Sequence, residues 1–439
     1  MRLHILIFTA FIFTAARSFG QVKVWSVDDC INYAYEKNIQ IRQARVSSYI
    51  SRENLELARA LRYPSLSGSA RQNFAWSNQQ GTGGSEVFRE SDGTTLSLTS
   101  TTTLYNGLRL QNNRKMAEVN YEASNYNVEV IKESVSLNIL NAYLQVLYAQ
   151  EQVSNSLNQV ASTEEQVRLA SERYRLGQIA NSDYLQVKSQ LATENQTLAT
   201  ARSQLAIDRV TLLQLMELPD TVEFNLARPN FDSLVKVKRF PSATDVYNAA
   251  LGFKPEVRSA ELNKKSSEIA VEVAKAGLIP TLSLSTGVST NYSSSVTTRD
   301  YSGQLSNNLS PTVGITASVP IYTNRQARTN INTARLNTDN ADLNEENTKI
   351  VLRKAIEQAC LDVTTSQIEF QSGMDAYEAA KESYDVATEK FRQGLMNSID
   401  YLVQKTSLIT AESNLLQAKY RLVFDDKILD FYMGKPLSF

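Results

Sequence analysis

The segment ERYRLGQIANSDYL at residues 172–185 returns as EKFRQGLMNSIDYL at residues 389–402. The two align without gaps at an offset of 217, and the alignment continues to Pro219 and Pro436 with about one position in three identical. Arg175/Arg392, Gly177/Gly394, Asp183/Asp400, Tyr184/Tyr401, Leu185/Leu402 and Lys188/Lys405 are shared. Farther upstream, Tyr63-Pro64-Ser65-Leu66-Ser67 matches Ile279-Pro280-Thr281-Leu282-Ser283, and Leu104-Tyr105 matches Ile321-Tyr322. Asp29 and Asn32 match Asp245 and Asn248 with a slip of one residue. An internal duplication therefore covers most of the chain. It divides into a first repeat at 21–218, a link at 219–241 and a second repeat at 242–439.

Each repeat reads in the same order. A helix comes first (27–61; 243–278, weakened near Pro255), then two strands, a very long helix, a glycine-bearing break and another long helix. Heptads sustain the long helices. Val160, Val167 and Tyr174 are spaced by seven, as are Tyr377, Tyr384 and Phe391; after the break so are Tyr184, Leu191, Leu198, Leu205 and Leu212. Tyr401, Leu408, Leu415, Leu422 and Leu429 repeat that last series. A seven-residue repeat of this length predicts helices paired along a narrow apolar seam, as in antiparallel coiled coils. Residues 112–176 hold no Gly or Pro, and at about 1.5 Å per residue would extend roughly 98 Å.

Composition agrees and excludes. The chain has 439 residues with only 16 Gly and 9 Pro, about half of an ordinary share of roughly 12%. Lys and Arg number 45 against 46 Asp and Glu, so no net charge argues for nucleic acid as a partner. The one histidine, His4, lies in the leader, which leaves no imidazole for a catalytic relay or a zinc site. Residues 1–20 have a basic start, an apolar run over 5–16 and the close Ser18-Phe19-Gly20, predicting a signal peptide cut after Gly20. Cys30 and Cys360 are too few for a disulfide framework and sit among apolar helical neighbours.

Four segments alternate with period two. Val313, Ile315, Ala317, Val319 and Ile321 oppose Thr312, Gly314, Thr316 and Ser318; Leu282, Leu284, Thr286, Val288, Thr290 and Tyr292 oppose Ser283, Ser285, Gly287, Ser289 and Asn291. Leu66, Gly68, Ala70, Phe74 and Trp76 share a face broken by Gln72, and Leu96, Leu98 and Leu104 give a weaker fourth strand. A soluble hairpin packed on a core fits such alternation locally. Strands of about 10 to 13 residues also suffice for a tilted membrane crossing, and the polar stretches 77–93 and 293–309 read as long outward loops. Four strands cannot close a barrel in lipid, where open edges are not tolerated. A membrane reading thus needs several chains: a dimer gives eight strands, a trimer twelve, a tetramer sixteen.

Taken together, the two motifs Arg173-Tyr174-x-x-Gly177 with Asp183-Tyr184-Leu185, and Lys390-Phe391-x-x-Gly394 with Asp400-Tyr401-Leu402, resemble the outer membrane efflux protein family, the TolC-like export ducts. The Pro64 and Pro280 strand entries and the Pro320-Ile321-Tyr322 exit resemble it too. The resemblance implies a mainly α, mixed α and β fold: a periplasmic α-barrel of coiled-coil helices and four strands per chain in a shared, trimeric, twelve-stranded transmembrane β-barrel. It implies a homotrimer in the outer membrane, a periplasmic adaptor and an inner-membrane transporter as partners, no nucleic acid and no cofactor. It places Arg175, Gly177, Leu185, Arg392, Gly394 and Leu402 at the periplasmic tips as candidates for adaptor docking. Asp183 and Asp400 become candidates for a pore constriction, where one carboxylate per chain would favour cations; helix capping explains them as well. Phe391 and Met396 depart from the family's gating side chains, so no specific gate network is carried over.

Two rivals stand beside this reading. An enzyme lacks histidine, clustered ligands and a phosphate loop here. A periplasmic coiled-coil scaffold would explain the helices but not four long alternating strands at equivalent places.

Overall fold

A computed structural model describes residues 24–80, 86–219, 224–229, 231 and 241–439. The expected signal peptide and most of the 219–241 link lie outside these. The elements in order are β1 (Val24–Trp25), α1 (Val27–Lys37), α2 (Ile39–Ala60), β2 (Ser65–Gln80), β3 (Glu86–Tyr105), α3 (Arg109–Arg175) and α4 (Asn181–Met216). Then follow β4 (Asn225–Leu226), α5 (Ala243–Phe253), α6 (Pro255–Lys275), β5 (Thr281–Ser293), α7 (Tyr301–Asn307), β6 (Ser310–Ser318), α8 (Gln326–Arg392) and α9 (Ser398–Tyr432). The duplication is visible in the coordinates, since α3 and α8 both have 67 residues and α8 begins and ends 217 positions after α3.

Corresponding joints use the same backbone devices. Both repeats open on a Ser-x-x-Asp cap: the Asp29 amide donates to Ser26 Oγ at 3.1 Å, and the Asp245 amide to Ser242 Oγ at 3.2 Å. Such caps satisfy amides that the first helical turn leaves unpaired. Both long helices are entered through two residues of positive φ, Gly107-Leu108 and Asn324-Arg325. Glycine is required at the first of these, because a Cβ there would stand 2.8 Å from Ile279 Cβ.

The first helix of each repeat is split: in the first repeat at Asn38, without warning from the sequence, and in the second at the expected weak point, Pro255. Asn38 divides α1 from α2: its Oδ1 accepts from the amides of Gln40 and Ile41, and its Nδ2 donates to the Leu215 carbonyl at 2.8 Å. Lys254 and Pro255 divide α5 from α6, where proline suits the first helical position.

Two compact units result. The first comprises the described parts of Met1–Gln43, Val130–Phe253 and Val351–Phe439. Its core gathers Trp25, Cys30, Ile41, Ile139, Tyr143, Leu147, Leu212, Met216, Tyr420 and Val423. There Tyr143 donates to the carbonyl of Ala227 at 2.6 Å, at the end of the parallel β1–β4 pair. Cys30 is buried and Cys360 half-buried, and no disulfide joins them. The heptad seams lie here: Val160, Leu198, Leu212, Leu422 and Leu429 are buried.

The second unit, Ala44–Glu129 and Lys254–Ile350, contains one antiparallel sheet ordered β2-β3-β5-β6. Its register gathers the aliphatic side chains on one face and small polar residues on the other. One face carries Leu66, Ala70, Leu96, Leu98, Leu284, Val288, Val313 and Ile315; Ser67, Ser69, Thr99, Ser97, Gly287, Ser289, Thr312 and Gly314 share the other. Of the residues 77–93 read as a loop, 77–80 and 86–93 are strand. β2 and β3 stay paired from Ser65↔Thr101 to Gln80↔Glu86, so the strands have 16 and 20 residues. Polar side chains on both faces of this extension erased the alternation that marks a strand. The 293–309 stretch holds α7 and is fastened by Gln304, whose Nε2 donates to the Val296 carbonyl and whose Oε1 accepts from the Ser293 amide.

Candidate functional site

The two glycine turns that join α3 to α4 and α8 to α9 lie in the first unit. Each closes its long helix the same way. The Gly177 amide donates to the Tyr174 carbonyl and the Gln178 amide to that of Arg173, both at 2.9 Å. The Gly394 amide donates to Phe391 at 3.1 Å and the Leu395 amide to Lys390 at 2.9 Å. This paired pattern needs a left-handed residue after the helix, and Gly177 (φ 71°) and Gly394 (φ 77°) supply it. A Cβ at either would meet nothing within 4 Å, so it is backbone conformation and not crowding that selects glycine.

Aromatic stacks brace both turns at equivalent positions. Tyr174 and Tyr184 stack at 5.8 Å, and Phe391 and Tyr401 at 4.7 Å. The turns are also tied to each other. Arg173 Nη2 donates to the Arg392 carbonyl at 3.0 Å, placing a cation at the carbonyl end of α8 where the helix dipole favours it. Ser398 Oγ donates to Asp183 Oδ1 at 2.7 Å.

Equivalent positions have diverged around this frame. Asp183 is half-buried and accepts from the opposite repeat; Asp400 is exposed, with Asn397 Nδ2 donating to its Oδ2 at 2.8 Å. Asn397 Oδ1 caps α9 by accepting from the Asp400 amide, whereas the first repeat has Ala180 there and no side-chain cap. Leu185 is 51% exposed, but Leu402 is 9% exposed and packs with Ala387, Tyr384, Phe391 and Met396. Leu402 therefore does not present its side chain to a partner from this protomer. Arg175 is exposed, and Arg392 is exposed with its guanidinium held by Glu389 at 2.8 Å.

Behind the turns lies a buried polar cluster that the sequence did not disclose. Lys405 Nζ stands 3.0 Å from Glu194 Oε1, with side chains 4% and 6% exposed. Thr163 Oγ1 bonds both Lys405 Nζ and Glu194 Oε2, and Gln190 Nε2 donates to Glu194 Oε1 at 3.0 Å. Nearby, Gln166 Nε2 donates to Tyr401 OH at 2.7 Å, and the hydroxyls of Tyr384 and Tyr401 are 2.8 Å apart. Burial, then the Tyr384 hydroxyl, push the Tyr401 phenol far above its usual range. These groups come from α3, α4, α8 and α9, so the cluster fastens both helical hairpins together. Its signal in the sequence was slight: Lys405 matches the exposed Lys188, while the position matching Glu194 is Ala411.

No cluster of His, Cys, Asp or Glu suited to a metal exists among the described residues. No described helix is long and apolar enough to cross a membrane.

The geometry has close parallels. CusC, in a structure describing transmembrane channel formation, is matched with a TM-score of 0.81 at 18% identity, covering 95% of this chain and 96% of that one. The CmeC outer membrane channel of Campylobacter jejuni gives 0.79 at 19% identity over 93% and 85%. The open-state MtrE outer membrane channel of Neisseria gonorrhoeae gives 0.76 at 19% over 94% and 90%. Curated protein sequences give no match. The family described as outer membrane efflux protein matches residues 30–217 and again 246–435, one match for each repeat. With nearly every element of both repeats inside those matches, the chain belongs to the outer membrane efflux protein family, whose members are passive channels and not enzymes.

Proposed function

We propose that this protein is the outer-membrane export duct of a tripartite efflux or type I secretion system, a passive homotrimeric channel joined to a periplasmic adaptor and an inner-membrane pump. One observation carries the membrane part. The four-stranded sheet has an apolar face with Val313 76% and Ile315 68% exposed, and β2 and β6 each leave one edge unpaired. Such a sheet is unstable in water and inadmissible in lipid until its edges are paired. Exposed aromatics at both ends support a lipid band: Phe74, Trp76 and Phe88 at one, Tyr63, Tyr105 and Tyr322 at the other.

Three copies would supply twelve strands with the apolar face toward lipid. Gly177 and Gly394 would then lie at the periplasmic tips, with Arg175, Leu185 and Arg392 on the surface offered to an adaptor and Leu402 shaping it from beneath. Asp400, exposed, and Asp183 would form the acidic constriction. The test is the protein mass of the detergent-extracted outer-membrane particle, corrected for bound detergent. A trimer is expected. A monomer leaving with soluble protein would refute the duct and restore the scaffold reading.

A further inference from the structure

Among the described side chains, the polar face of the sheet carries charge at one point. Its described residues across β2, β3, β5 and β6 are otherwise Ser, Thr, Gly and Asn, with Ala75 the one apolar residue among them. Arg71 is the only charged side chain described on it. Arg71 lies in one row with Thr95 and Asn291, midway along the β2–β3 pair. The described carboxylates of β3 do not face it. Glu90 pairs with Trp76 and Asp92 with Phe74, on the apolar side, where Gln72 Nε2 donates to Asp92 at 3.5 Å. The next basic residue along the hairpin, Arg89, pairs with Ser77 in the register and has the same sign.

From this segregation of charge we infer that Arg71 forms a ring of guanidinium groups inside the β-barrel, making its lumen a selective site for anionic solutes. The inference rests on the trimeric duct proposed above, which repeats each lumenal residue three times around the axis. Rings of one sign concentrate counter-ions in a pore bounded by low-dielectric walls. Arginine cannot lose its charge in the physiological range, and its fork of donors matches phosphate and carboxylate groups. Neutral hydroxyls around it neither cancel the charge nor compete for the anion. The strands would thus select a sign opposite to that expected at Asp183 and Asp400, so cations would be favoured at the acidic constriction and polyanionic groups in the barrel.

The experiment reconstitutes the full-length protein in planar bilayers and applies inositol hexakisphosphate to the barrel side. Wild type, Arg71→Lys, Arg71→Ser and Arg71→Glu are compared for block of the potassium chloride current. Block by this probe should persist in Arg71→Lys, weaken by about tenfold in Arg71→Ser and be lost in Arg71→Glu. Equal block of all four proteins, with conductance intact, overturns the ring and leaves the duct standing. A monomer without conductance removes the duct and the ring together.

Discussion

Replacing Lys405 by Met tests the buried cluster behind the glycine turns. The ammonium lies 3.0 Å from Glu194 Oε1 with both side chains almost fully enclosed. Its loss leaves the carboxylate with only the Thr163 hydroxyl and the Gln190 amide as donors. Stranding one member of a buried pair costs about 3–5 kcal/mol, whereas replacing both by apolar groups is close to neutral. At about 1.4 kcal/mol per decade, this corresponds to a fall of roughly two to three and a half decades in local hydrogen-exchange protection. The assay is exchange read by mass spectrometry on peptides covering 160–198 and 398–410 in the assembled particle. Lys405→Met should lose protection there, and Glu194→Leu with Lys405→Met should recover most of it. Lys188→Met, the same change at the exposed equivalent site, should stay within about 0.5 kcal/mol of wild type. Wild-type protection in Lys405→Met, or a double variant as labile as the single, would refute the assignment of an energetically coupled pair.

Asp425 adds a pH dependence. Burial first, against the lowering Ser366 bond, pushes its carboxyl up to about 6 from 3.8, with Asp362 and Glu369 also raising it and Arg421 lowering it. The folded state therefore holds this proton more tightly than the unfolded chain. Its contribution to stability is full below pH 3.8 and is lost as pH rises through 6; Asp425→Asn should flatten that slope in urea midpoints and gain at most about 3 kcal/mol at pH 7. Valine at Gly177 and Gly394 should cost about 1–2 kcal/mol each through the left-handed backbone alone, and abolish export from cells while trimers still assemble; retained export would count against adaptor docking at these turns. Asp400→Ala should raise single-channel conductance or lower cation preference in bilayers, and unchanged traces would remove Asp400 from the constriction.

Much of the fold was legible because duplication stated it twice. Glycines 217 positions apart, each ahead of a leucine heptad, located both turns, and period-two segments located all four strands. What escaped depended on partners distant in sequence. Asn38 splits a helix because it reaches the Leu215 carbonyl, 177 residues away. Glu194 and Lys405 escaped because a buried pair across two hairpins leaves no periodic trace, and the repeat keeps the lysine, as Lys188, but not the glutamate. The turn residues were found, but their inequivalence was not: Leu185 and Leu402 are identical letters in different surroundings, one on the surface and one in a small core. Beyond Trp76 and before Gly93 the ends of β2 and β3 hid as a loop, because polar residues on both faces interrupt the alternation there.

In the duct proposed above, the hydroxyl-lined face of the sheet would bear on residence time. A wall of Ser and Thr offers a passing solute hydrogen bonds little better than those of water, and it gives apolar cargo no surface worth leaving solution for. Conduction requires binding weak enough to release what has entered. Away from Arg71, so indifferent a lining would leave the passage of uncharged solutes to width and delivery, and would leave charge as the property on which the wall discriminates.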